Sequence, residues 1–160
     1  MARTNGPWDL ALATIQLATR TIYDIQEGIR ADGFHDVTPL HGFAFMRIAT
    51  GGVTTQQLAE YLGISKQASA QLVGRLVNAG YLKRAPHPRD GRAQLLQLTD
   101  RGHACTVAAR AAAEASVQRW QDELTADQLK PFRSSLLTLT AASGPVRSPL
   151  QPTTASSLPS

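Results

Sequence analysis

The chain has 160 residues, 42% of them hydrophobic and 18% charged, with a single cysteine and a net charge of +4. That composition fits one globular domain with its own core. It excludes a membrane-spanning run, a secretion signal behind MARTNGPWD and a disulfide or thiolate metal site, so the expected setting is the cytoplasm, with no membrane association and no cofactor. An aromatic content of 6% and many alanines favour helices over a β-sandwich.

Residues 1–6 are expected to be flexible. Trp8, Ala11, Ile15, Ala18, Ile22, Ile25 and Ile29 then recur at alternating spacings of three and four, which predicts a helix packed lengthwise on another helix. Leu10, Leu12 and Leu17 widen the stripe, making it either a broad core face or one shared with a second subunit. After DGFHDV, Thr38 is a cap and Pro39 the first position of a helix ending near Ala49. TGGVTTQQLAEYLGIS predicts a turn, an extended piece near Val53, and a helix over 56–62 opened by the capping box of Thr54 and Gln57 and closed by Gly63. Ser65 caps the next helix, whose Ala68, Leu72, Val73, Leu76 and Ala79 form the inward stripe before Gly80 ends it. Two short helices meeting at a glycine-bearing turn make a helix-turn-helix.

YLKRAPH and AQLLQLT read as strands joined by PRDG, a β-hairpin with a basic tip. One long alanine-rich helix is expected over 100–124, thin enough for a neighbour to approach closely. LTADQL repeats the capping signature through Thr125 and Gln128, ahead of a seam of Leu129, Phe132, Leu136 and Leu139. Pro131 should kink that helix or delay its start. Beyond Ala142, proline, serine and threonine dominate and predict a disordered tail over 143–160.

Between Ser65 and Arg92, six bases stand against one acid, so the excess positive charge is concentrated in this stretch. Such a patch on an otherwise neutral body attracts a polyanion. A helix-turn-helix followed by a basic hairpin is a winged helix, whose second helix fits the major groove of DNA while the hairpin reaches the neighbouring minor groove. Gln67, Ala70 and Gln71 are the candidates for base edges, glutamine pairing with adenine and alanine meeting a thymine methyl. Ser65, Lys66, Ser69, Arg75 and Arg84 are assigned to phosphates. On the hairpin, Arg92 is assigned to the minor groove, Asp90 to aiming its guanidinium, and Arg89 to phosphate.

The helix-turn-helix QLAEYLGISKQASAQLVGRLVNAGYLKR, the Asp-x-Arg of Asp90 and Arg92, and the LTDRG that leads into a long helix together resemble the MarR family of transcription regulators. The resemblance implies a mostly α fold with a small β-hairpin wing: a first dimerisation helix and loop over 7–37, a winged helix domain over 38–99, and C-terminal dimerisation helices over 100–142. It implies a homodimer on a near-palindromic double-stranded DNA operator, most often a repressor released by a small-molecule effector or by oxidation. The effector pocket would lie near Tyr23, His41 and Phe45. This chain departs from the family pattern at His87, where aspartate is common, which leaves a local salt bridge absent or dependent on pH. It departs again at Gly74, a weak helix former inside the recognition helix.

Two other readings stay open: a winged helix used for protein contacts alone, and a redox-responsive regulator acting through Cys105. With no basic neighbours but His103 and Arg101, Cys105 reads better as a small buried residue. His35, His41, His87 and His103 lack metal-ligand spacing, and no catalytic constellation of serine, histidine and acid or glycine-rich phosphate loop argues for an enzyme.

Overall fold

The computed structural model describes residues 6–87 and 90–142, with the backbone alone at 87 and 90–92. Helix α1 (Pro7–Ala31) is followed by α2 (Pro39–Ala49), α3 (Thr55–Leu62) and α4 (Lys66–Asn78). An antiparallel hairpin of β1 (Leu82–His87) and β2 (Asp90–Leu98) leads into α5 (Asp100–Gln118), the short α6 (Trp120–Glu123) and α7 (Ala126–Ala142). This is the mostly α, winged helix-turn-helix order that the sequence predicts. The chain divides into two units, one made of residues up to Pro39 with Val107–Leu139, the other chiefly of Leu40–Thr106.

In the winged unit, local chemistry sets each helix end. The Thr54 hydroxyl accepts from the Gln57 amide at 3.2 Å while the Gln57 side chain accepts from the Thr54 amide at 2.9 Å, which satisfies two donors that α3 leaves free. Gly63 closes α3 at φ +65°, a left-handed turn that glycine takes without strain. Two residues on, the Ser65 hydroxyl accepts from the Ala68 amide at 3.1 Å and opens α4. Leu58 and Leu62 of α3 and Leu72, Val73 and Leu76 of α4 are buried, as are Phe45 and Ile48 of α2.

The hairpin runs in register from Leu82 opposite Leu98 to Pro86 opposite Gln94, then shifts so that His87 faces Asp90. Strand β2 therefore takes in Asp90, Gly91 and Arg92, which corrects the four-residue PRDG turn: residues 88 and 89 alone lie between the strands. Val53, the expected extended piece, bridges to Leu96, whose amide donates to the Val53 carbonyl at 2.8 Å. The hairpin is tied at its base by Thr99. Its amide donates to the Tyr81 carbonyl at 3.0 Å, its hydroxyl donates to the Gly80 carbonyl, and the same hydroxyl accepts from the Gly102 amide. A side chain at position 102 would run into the Tyr81 carbonyl, so the tie requires glycine there.

In the other unit, α1 approaches α5 so closely that a Cβ on Gly28 would overlap the Cβ of Ala112. Asp24 of α1, with a side chain 9% exposed, accepts from the Ser116 hydroxyl at 2.8 Å and pairs with Arg20 at 3.0 Å and with Arg119. The single helix expected over 100–124 is in fact broken: α5 stops at Gln118, and the ladder stretches to 3.4 Å at Arg119, the residue drawn across to Asp24. Pro131 lies within α7 and does not delay its start, which stays at Ala126 because the Gln128 side chain accepts from the Thr125 amide at 3.0 Å. Trp120 and Phe132 meet edge to face at 5.9 Å. Trp8, Leu10 and Ile15 of α1 remain 61% exposed or more. No described helix is long and apolar enough to cross a membrane. The expected tail over 143–160 lies outside the described residues.

Candidate nucleic-acid interface

Helix α4 buries one face and leaves the other open, a division set by the 3.6-residue period. Ser69, Leu72, Val73 and Leu76 fall three, four and seven apart and form the buried stripe. Lys66, Gln67, Ala70, Gln71 and Arg75 occupy the opposite side and are exposed. Among the described residues the side chains of Lys66, Gln67, Gln71 and Arg75 have no hydrogen-bond or ion-pair partner. Ser65 is exposed at the helix start, with its hydroxyl already accepting from the helix backbone.

Ser69 corrects the phosphate assignment. It is fully buried, and its hydroxyl donates to the Thr55 carbonyl at 2.9 Å, fastening α4 to the start of α3. A buried hydroxyl satisfied by a backbone carbonyl is a tether between helices and is out of reach of a ligand at the surface. The residue belongs to the structural stripe.

On the hairpin, Lys83 and Arg84 are both exposed, opposite Gln97 and Leu96. Lys83, one of the six bases of the patch and given no contact by the sequence, is as open as Arg84. Asp90 and Arg92 belong to the backbone of β2, while their side chains and the whole of Arg89 lie outside the described residues.

Behind this surface sits a joint that sequence reasoning passed over. Tyr81 is fully buried, its ring tilted against Phe45 at 5.6 Å, and the Arg101 guanidinium stacks over it at 4.6 Å while donating to its hydroxyl at 3.0 Å. The LTDRG wording held the signal: Thr99, Arg101 and Gly102 all work on the backbone or ring of residues 80 and 81.

The residues assigned to an effector pocket are dispersed in character. Phe45 is a buried core residue packed on Tyr81. His41 is half-buried in the winged unit. Tyr23 is exposed in the helical unit, with the Arg20 guanidinium 5.5 Å from its ring centre. A cleft of about 470 Å³ does occur in the helical unit, lined by Gln121, Leu124, Ala126, Leu129, Lys130 and Arg133. Cys105 is 1% exposed, a buried core residue shielded from oxidants. Among the described residues no three histidine, cysteine or acidic side chains gather as a metal site.

Residues 35–93 match the sequence model of the MarR family. Among solved structures, the chain is similar to RV1404 from Mycobacterium tuberculosis (TM-score 0.73, 22% identity, covering 89% of this chain and 98% of that one). It is similar to the transcriptional regulator Tm0710 from Thermotoga maritima (TM-score 0.65, 24% identity, 85% and 93% covered). A further likeness is to a cysteine-to-serine mutant of MarR from E. coli complexed with operator DNA (TM-score 0.63, 22% identity, 91% and 100% covered). Among curated proteins, none matches this sequence.

Proposed function

We propose that this chain, a winged helix with a MarR-family segment over residues 35–93, is a DNA-binding transcription regulator that acts in the cytoplasm as a homodimer on a near-palindromic operator. The observation that carries the reading is the outer face of α4, where exposed glutamines without partners among the described residues stand between Lys66 and Arg75. The major groove admits a helix of this kind, and its base edges offer the donors and acceptors that uncommitted amides seek. Ser65, Lys66, Arg75 and Arg84 are the proposed phosphate contacts, joined here by Lys83. By its sequence, the wing adds Arg89 at phosphate and Arg92, aimed by Asp90, in the minor groove. The likeness to a MarR protein held on operator DNA supports this placement.

Residues 38–99 are proposed as the DNA-binding domain, and 7–37 with 100–142 as the dimerisation helices. The apolar side chains bare on α1 favour a second copy as their cover, because exposed patches of this kind mark association surfaces. Regulation is read as repression relieved by a small molecule that alters the spacing of the two recognition helices.

The test is an anisotropy titration of the purified chain against duplex DNA from beside its own gene, from about 50 to 200 mM salt. Log affinity should fall linearly with log salt, and Lys66→Ala or Arg84→Ala should each reduce the slope by about 1. A flat salt dependence would overturn the reading in favour of a winged helix that binds protein. Footprinting with and without aromatic acids then tests the effector: a two-fold protected site lost with one compound is the expected result.

A further inference from the structure

The open face of α4 has an order that decides which bases it suits. At about 100° per residue, Gln67, Gly74 and Gln71 lie within about 60° of one another, and Ala70 borders them on one side. Lys66 and Arg75 fall about 90° to either side of that strip, close to opposite one another across the helix. The cations therefore flank the reading strip and do not lie on it. The strip itself carries the amides of Gln67 and Gln71, the exposed amide of Asn78 at the far end of the helix, and two small residues, with no arginine, lysine or acid.

Guanine presents two acceptors in the major groove, N7 and O6, and is matched by arginine or lysine; adenine presents the N7 acceptor beside the N6 donor, and is matched by an amide that both donates and accepts. Gln67 and Gln71 are exposed and without hydrogen-bond partners among the described residues, so each amide has both functions available. Four residues of helix rise about 6 Å, close to the rise of two base-pair steps. The methyl of Ala70 lies beside them, small enough to let a thymine methyl in.

Resting on the DNA-binding reading above, we propose that Gln67 and Gln71 make this chain select adenine at two positions about two base pairs apart in each half-site, with guanine disfavoured at both. The flanking Lys66 and Arg75 then hold the two phosphate walls of the groove and contribute affinity without base preference.

The experiment is selection of bound duplexes from a randomised pool by the full-length protein, followed by 7-deazaadenine substitution, which removes the N7 acceptor and leaves pairing intact. Enriched sites should carry adenine at two such positions, and 7-deazaadenine at either should weaken binding about tenfold. Gln71→Ala, verified as folded by its melting curve, should lose the preference at one position and become indifferent to 7-deazaadenine there, while Gln67→Ala does the same at the other. Enrichment of guanine at these positions, or a Gln71→Ala protein that keeps the wild-type preference, overturns the proposal and leaves salt-sensitive duplex binding intact. A chain that captures no duplex from the pool removes the DNA-binding reading itself, and this proposal with it.

Discussion

At the scale of single residues, Ser69 and Arg92 illustrate opposite relations between composition and role. Ser69 stands beside Lys66, Gln67 and Gln71 in sequence and shares their polarity, yet its spacing to Leu72, Val73 and Leu76 places it inside. Periodicity outranks residue type in that decision, because a helix has one inward direction and whatever falls on it must be buried. The hydroxyl is satisfied at the Thr55 carbonyl, so Ser69→Ala removes a hydrogen bond between the two helices and should destabilise the fold by about 1 kcal/mol in chemical denaturation. Arg92 is assigned by sequence to a groove contact. Arg92→Ala should weaken operator binding by about 1 to 3 kcal/mol in the anisotropy titration, and Arg92→Lys should fail to restore it, because an ammonium lacks the planar guanidinium fork.

At the scale of elements, the helix ends were legible because their chemistry is local. Thr54 with Gln57, Gly63 and Ser65 each act within four residues, and each stands where its neighbours in sequence predict. The break after Gln118 was not legible, since neither proline nor glycine marks it and the residue at the break, Arg119, is engaged with Asp24, ninety-five positions away. Burial alone pushes the Asp24 carboxyl up, but hydrogen bonds from Ser116 and Arg119 and the charges of Arg119 and Arg20 outweigh it and hold the group below its ordinary 3.8. A carboxyl lowered by folding contributes stability that is present above its unfolded value and is lost as pH falls through the folded one. Asp24→Asn should therefore be less stable than the wild type in urea at neutral pH, with the gap closing as pH drops below about 4. The close approach of α1 to α5 gives a second test. Gly28→Ala should destabilise by about 1 to 3 kcal/mol, because the new methyl meets that of Ala112. Ala112→Gly added to it should recover stability, although the second change alone lowers it through helix propensity.

At the scale of the whole molecule, the order of elements and the concentration of charge between Ser65 and Arg92 were both readable in the chain. Ambiguity stayed in the first helix, whose apolar stripe is wider than its burial: Ile29 is enclosed, while Trp8, Leu10 and Ile15 are bare. A stripe records that a face is covered without recording by which chain. If a second copy is the cover, Trp8→Glu combined with Ile15→Glu should convert the protein to a monomer in sedimentation and lower its affinity for a two-fold operator, since two linked half-sites bind more tightly than one. A double variant that stays dimeric would place the interface elsewhere.

The Ser69 tether also limits how α3 and α4 can move. A hydroxyl locked to a carbonyl of the preceding helix resists any scissoring of the pair, so a regulatory signal that arrives there would swing both as one rigid lever. Deuterium uptake should accordingly be slow and nearly equal along the two helices, and Ser69→Ala should let α3 exchange ahead of its companion.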